Sequence, residues 1–150
     1  MIRLADRSDL NRVADLVCEF LETTSYGHHT DNLVNEEHIR HLVFSVLHLG
    51  YIWLLEVDGE VVGMLAAIKE PNIWIPQKRS LRELVWYIRP EHRSSVGGGK
   101  LFIRFCQKGD ELIKSGEIQG YFTTRMTTTA DYDLESRGFR LTEKLYLKDQ

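Results

Sequence analysis

The sequence predicts an α+β (α/β) fold, a mixed central sheet of about six strands flanked by about four helices in one domain. Three observations carry that expectation. The apolar period alternates along the chain between two residues, as in strands, and three to four, as in helices. Asp58-Gly59 separates two β-prone runs, which is the signature of a two-residue hairpin turn. Leu84–Ile88 is a continuous apolar, β-prone run, as in a strand covered on both faces. It should end near Pro90, which has no N–H for the ladder and biases Arg89 towards an extended backbone.

Taken in order, Ile2–Ala5 reads as a short strand, and Asp6–Ser8 as a turn in which Ser8 is the expected helix N-cap. Leu10, Val13, Ala14, Val17, Phe20 and Leu21 then recur at helical spacing and define a core-facing stripe. A polar loop, YGHHTDN, is expected to be exposed as a substrate rim. A second helix over about Glu36–Leu49 buries Ile39, Leu42, Val43, Val46 and Leu47, and Gly50 ends it. Tyr51–Val57 and Glu60–Ile68 are the strands of the hairpin. Residues 69–80, KEPNIWIPQKRS, read as a loop or irregular edge. Trp74 there either folds back over the core or offers an acceptor-binding or self-association surface, and a homodimer is one arrangement this allows.

From about Gly97 a helical period places Leu101, Phe102, Phe105, Leu112 and Ile113 on one face, with Ser115-Gly116 as the stop. Tyr121–Met126 is a further strand, and Tyr132–Arg137 a short helix capped by Gly138. Phe139–Leu147 alternates apolar and polar residues and is the expected closing strand.

The stretch between the central strand and its helix carries the chemistry. A helix start presents backbone N–H groups without partners and a partial positive charge, which together suit an anion such as a pyrophosphate. Gly97, Gly98 and Gly99 let a bulky anion approach the backbone, and Arg93 and Lys100 add charge on either side. A Walker loop is excluded, since Ser94 stands where its first glycine belongs and Leu101 follows the lysine in place of Ser or Thr. A dinucleotide fingerprint from Gly97 is excluded by Phe102.

What these residues resemble is the acyl-CoA loop of the GNAT N-acetyltransferases, roughly V-x-P-x-Y-R-G-x-G-x-G-x-x-L. Here Ile88, Pro90, His92, Arg93, Ser94, Val96, Gly98 and Leu101 occupy its positions. Val96 replaces the first loop glycine, and a β-branched residue fits poorly if that position needs a positive φ. Element order and the ending ESRGFRLTEKLYLK extend the resemblance over nearly the whole chain, and WYIRPEHR looks like small bacteriophage-encoded members.

The resemblance implies a GNAT fold, with acetyl-CoA as cosubstrate bound by Tyr87, Ile88, Arg93, Ser94, Ser95, Val96, Gly97, Gly98, Gly99 and Lys100. It implies acetyl transfer to an amine, and neither a small amine, a protein lysine nor a terminal amine is singled out as acceptor. An ammonium cannot attack a thioester, so the site needs a proton acceptor. Glu83 beside the strand core is the candidate base, its competing reading being a surface glutamate beside Arg82, with Glu70 in reserve. A backbone N–H at Tyr87 or Ile88 matches the family's donor to the thioester oxyanion. Leu134 occupies the position of the family's acid tyrosine, and Tyr132 two residues earlier is the candidate substitute. A catalytically weak GNAT-fold binding or inhibitory protein stands as the alternative, with residues 71–80 as its contact surface.

The formal net charge of −3 provides no basic field for nucleic acid, so none is expected as partner. Lys78, Arg79, Arg82, Arg89 and Arg93 form a local basic set suited to a phosphorylated ligand. Cys18 and Cys106 fall in helices beside core positions, which suits reduced packing thiols in the cytoplasm. No apolar run approaches the roughly 20 residues of a membrane span, and Met1–Asp6 has no secretory pattern. His28, His29, His38, His41 and His48 lack an accompanying ligand set, and no metal is assigned.

Overall fold

Among the described residues five strands form one mixed sheet in chain order: β1 (Ile2–Leu4), β2 (Gly50–Val57), β3 (Glu60–Pro71), β4 (Arg79–Ile88) and β5 (Gly120–Phe122). Neighbours from β1 to β4 pair antiparallel, and β5 runs parallel to β4. The computed structural model describes residues 1–24, 34–93, 96–125, 132–146 and 148. Among these are three α-helices, α1 (Leu10–Thr23), α2 (Glu36–Leu49) and α3 (Gly97–Lys114). A parallel neighbour needs a crossover, and α3 supplies it between β4 and β5. No helix among the described residues is long and apolar enough to cross a membrane.

The sheet has a core on each face. Val13, Leu16, Ile39 and Val43 of α1 and α2 close over Leu54, Met64 and Tyr87. On the other face Leu101, Phe102 and Phe105 of α3 meet Trp53, Leu65 and Leu81. The heptad-like spacing of each helix and the period-two alternation of each strand are what bring these sets together. Cys18 and Cys106 are free, half-buried and packed into these clusters.

Local chemistry fixes the element ends, in three places differently from expectation. Asp58 and Gly59 take φ of 51° and 80°, the doubly left-handed pair of a tight hairpin turn. The entry to α1 does not use Ser8 as cap. Asp6 caps a short 3₁₀ turn at Arg7–Asp9 by accepting from the Ser8 N–H, and Asp9 is tied instead to Arg3 at 2.7 Å. The closing strand expected at Phe139–Leu147 is also absent among the described residues. Residues 140–146 are exposed and irregular, with Leu145 91% accessible. Alternation needs a neighbouring edge to become a strand, and β5 offers an edge of only three residues. The helix expected at Tyr132–Arg137 is a 3₁₀ turn, Glu135–Arg137, stopped by Gly138 at φ 86°.

β3 and β4 run further than the pattern suggested, to Pro71 and from Arg79. Trp74 does not fold back over the core: it stands 84% exposed on the connecting tip, where Asn72 Oδ1 accepts from the N–H groups of Trp74 and Ile75.

Gly109 locks α3 to β5. A Cβ there would lie 2.5 Å from the ring of Tyr121, whose hydroxyl donates to Asp110 at 2.9 Å. Alanine for glycine inside a helix ordinarily stabilises by about 1 kcal/mol. At this position overpacking should outweigh it, and Gly109→Ala is expected to cost about 1–3 kcal/mol, read as a lower Tm. An unchanged or higher Tm would show that the ring yields freely.

Candidate active site

The site is set by how β4 and β5 part. They are paired only over Ser80–Arg82 and Gly120–Phe122, after which β4 continues to Ile88 with β3 as its one strand partner among the described residues. Glu83 stands at the point of parting. Its Oε2 accepts from Thr123 Oγ1 at 3.0 Å, from the Thr124 N–H at 3.1 Å and from Thr124 Oγ1 at 3.4 Å. A side-chain carboxylate thus takes the place of the next ladder carbonyl, and the strands diverge. A β-bulge on β4 falls at the same point, since Ala66 faces Val85 while Ala67 faces Glu83.

Glu83 is buried, with 6% of its surface accessible, so the reading of a surface glutamate is wrong. Burial pushes its carboxyl above the usual carboxylate range, opposed in part by the three hydrogen bonds from the threonines. Among the described residues all three bonds reach Oε2, and none is given to Oε1. Glu70, the reserve candidate, is paired with Arg82.

The Arg89 N–H donates to Val62 O at 3.0 Å, which fixes the alternation of the last turn-free residues of β4. Tyr87 therefore directs its N–H to β3, whereas Trp86 and Ile88 direct theirs into the parting of the strands. Of the two expected oxyanion donors, Ile88 thus directs its N–H towards the parting and Tyr87 directs its N–H to β3. Trp86, a position the sequence reading missed, shares its side with Ile88. Only the register reveals that, because strand facing is invisible until the bulge is located. The Tyr87 side chain lies on the opposite face, its hydroxyl 3.4 Å from Glu19.

Beyond Ile88 the chain turns at Pro90–His92 into α3. Arg93 donates from Nε to Ile88 O at 2.9 Å and its guanidinium lies 5.7 Å from the centre of the Tyr87 ring. Val96 has φ −67°, so the expected conflict between a β-branched residue and positive φ does not arise. The side chain of Val96, the N-cap residue of α3, makes no cap hydrogen bond. The first ladder bond of the helix runs from the Lys100 N–H to Val96 O at 3.2 Å, leaving the N–H groups of Gly98 and Gly99 ahead of the ladder. A Cβ on Gly98 would meet Ile88 Cδ1 at 2.8 Å, while one on Gly99 would meet nothing within 4 Å. Gly98 thus joins the loop to β4, and Gly99 leaves the helix start open. Ser94 and Ser95 lie outside the described residues.

The basic set does not converge. Arg79 and Lys78 sit at the far end of a ten-residue strand from α3, a separation of about 30 Å. Arg82 is held by Glu70, and Arg89 by Glu19 at 2.8 Å and Glu60 at 2.8 Å. Arg93 alone of that set borders the helix start, with Lys100 in the first turn.

Tyr132 packs its ring edge-on against Trp86 at 5.2 Å and Phe102 at 5.1 Å. Its hydroxyl is buried without a hydrogen-bond partner among the described residues. Most buried polar atoms have a partner, so a hydroxyl in that state is uncommon. Leu134 packs into the α3-side core. Of the histidines, His28 and His29 lie outside the described residues, and no group of three metal-binding side chains occurs among those described.

No family model matches the sequence, and no curated protein matches it either. The fold has many counterparts among solved structures. A possible acetyltransferase from Clostridium difficile 630 superposes with TM-score 0.71 at 17% identity, covering 99% of this chain and 96% of that one. A predicted acetyltransferase from Clostridium acetobutylicum, solved with acetyl-CoA, gives TM-score 0.67 at 16% identity, with coverages of 99% and 95%. AAC(6')-Iy in complex with the bisubstrate analogue CoA-S-monomethyl-acetylneamine gives TM-score 0.67 at 11% identity, with coverages of 100% and 97%. The chain therefore has the fold of acetyltransferases, the GNAT fold that the motif resemblance implied.

Proposed function

We propose that this protein is an N-acetyltransferase that moves the acetyl group of acetyl-CoA to a primary amine by direct attack. The observation that carries the proposal is the parting of β4 from β5 with a buried carboxylate at its vertex and outward backbone N–H groups along one side. Acetyl-CoA supplies an activated acyl group and a thiol leaving group. Gly98, Gly99 and Lys100 at the start of α3 hold its pyrophosphate, with Arg93 beside them. The N–H groups of Trp86 and Ile88 stabilise the carbonyl oxygen as negative charge develops on it. In the transfer a C–N bond forms and the C–S bond breaks. Glu83 takes the proton the amine loses, directly or through water, its raised pKa making it the stronger base. The Tyr132 hydroxyl donates to the departing sulfur.

One observation favours a second reading, a binding protein of weak catalytic power: Ile73 and Trp74 are 83% and 84% exposed on an ordered hairpin tip. Release of CoA from acetyl-CoA with simple amines, with mass detection of the acetylated product, separates the two. The proposal expects amine-dependent release. Acetyl-CoA bound but never turned over with any amine would favour the binding reading.

A further inference from the structure

The connection between β3 and β4 reaches beyond the sheet. β2 begins at Gly50, opposite Ile68, and β5 begins at Gly120, opposite Ser80. Residues 72–78 therefore extend past the neighbouring strands among those described. They carry Ile73, Trp74 and Ile75, which are 83%, 84% and 45% exposed. Adjacent large apolar side chains held out at a tip mark an interaction site.

The backbone of the tip is prepared to leave water. Asn72 Oδ1 accepts from the N–H groups of Trp74 and Ile75 at 2.8 and 2.9 Å. The Asn72 N–H donates to Lys78 O at 2.7 Å, the Lys78 N–H to Ile75 O at 2.9 Å and the Arg79 N–H to Gln119 Oε1 at 2.7 Å. Pro71 and Pro76 have no N–H to satisfy. An unpaired amide is costly in an apolar phase, and most of the amides here are paired or missing.

Positive charge sits directly behind the apolar side chains. Lys78 and Arg79 are exposed and have no acidic partner among the described residues, whereas Lys69 is paired with Glu117 and Arg82 with Glu70. We propose that the tip docks on an anionic lipid bilayer, with Ile73, Trp74 and Ile75 entering the boundary between headgroups and acyl chains and Lys78 and Arg79 meeting the lipid phosphates. An indole suits that boundary, and each cation beside a negatively charged leaflet adds attraction. The net charge of −3 opposes anion binding over the rest of the surface, so the contact is confined to the tip and no span is required. A second copy of the chain fits less well. Three side chains fall short of the roughly 800 Å² per partner of a stable interface, and a tip-to-tip contact would bring Lys78 and Arg79 of both copies together. This docking is independent of the acetyl-transfer reading.

The test is co-sedimentation of the full chain with vesicles of phosphatidylcholine alone and of an equal mixture with phosphatidylglycerol, with tryptophan emission and the mass in solution by light scattering measured alongside. Binding to the anionic vesicles is expected to exceed binding to the neutral ones by about tenfold or more, with a blue shift of the emission. Trp74→Ser should lower the partitioning by about tenfold or more, whereas Trp74→Phe should keep most of it and lose the blue shift. Lys78→Gln and Arg79→Gln should each lower it by about fivefold, and added salt should weaken it further. These side chains are exposed, so an unchanged Tm reports that each variant is folded. No binding to the anionic vesicles, equal binding to both kinds, or binding unmoved in Trp74→Ser would overturn the proposal. A dimer of the parent chain that Trp74→Ser dissociates would overturn it too and assign the tip to a second copy.

Discussion

Glu83→Gln is expected to slow acetyl transfer by about 10²–10⁴-fold at neutral pH, the usual scale for losing a general base. Glutamine keeps the shape, and its amide oxygen can still accept from Thr123 and Thr124, so the vertex between β4 and β5 should hold. Affinity for acetyl-CoA should change little. The deficit should shrink as pH approaches the amine's own pKa, where neutral acceptor becomes abundant unaided. Stability supplies an independent readout with a definite sign. A carboxyl whose folded pKa is raised above the unfolded one contributes stability that is present below the unfolded pKa, about 4.5, and lost as pH rises through the folded pKa. Glutamine cannot ionise, so the variant should gain Tm relative to the parent as pH is raised from 5 to about 8. A rate within about threefold of the parent, with no such pH-dependent gain, would make Glu83 a structural clasp and direct the search to an ordered water.

Gly99→Asp should weaken acetyl-CoA binding by about 10–100-fold, some 1.4–2.8 kcal/mol, while leaving the fold at least as stable. The position is chosen because nothing lies within 4 Å of a Cβ there, unlike Gly98, whose Cβ would press on Ile88. A carboxylate in the first turn interacts favourably with the helix and is worth about 0.3–1 kcal/mol to it. The same charge occupies the space and field that a pyrophosphate requires. Loss of affinity with retained or raised Tm is therefore specific to an anion site. Unchanged affinity by calorimetry would separate α3 from cosubstrate binding.

Much of this arrangement was legible in the sequence because it depends on local signals. The Asp58-Gly59 turn, the Pro90 exit and the glycine-rich start of α3 each have a stereochemical cause that does not need the rest of the chain. Glu83 was found as a carboxylate beside the central strand, but its burial was not, since that depends on Thr123 and Thr124 from forty residues away. The same limit explains Trp86. Its N–H faces the parting strands because of a bulge near Leu84, and a one-residue offset reverses facing without a trace in composition. The basic set failed for a related reason, because residues close in sequence are spread along an extended strand, and two of them are already neutralised by Glu70 and Glu19. Residues 139–146 show the converse: a β-like pattern without a long enough edge to pair with remains irregular.

The measurement that tests the account most directly is a crystal structure of the protein with CoA. The pyrophosphate is expected against the N–H groups at the start of α3, Gly98 to Lys100, with the thiol end lying between β4 and β5 near Trp86, Ile88 and the Tyr132 hydroxyl. CoA bound with its pyrophosphate away from α3, or its thiol end outside the parting of β4 and β5, would contradict the assignment of this site to acetyl transfer.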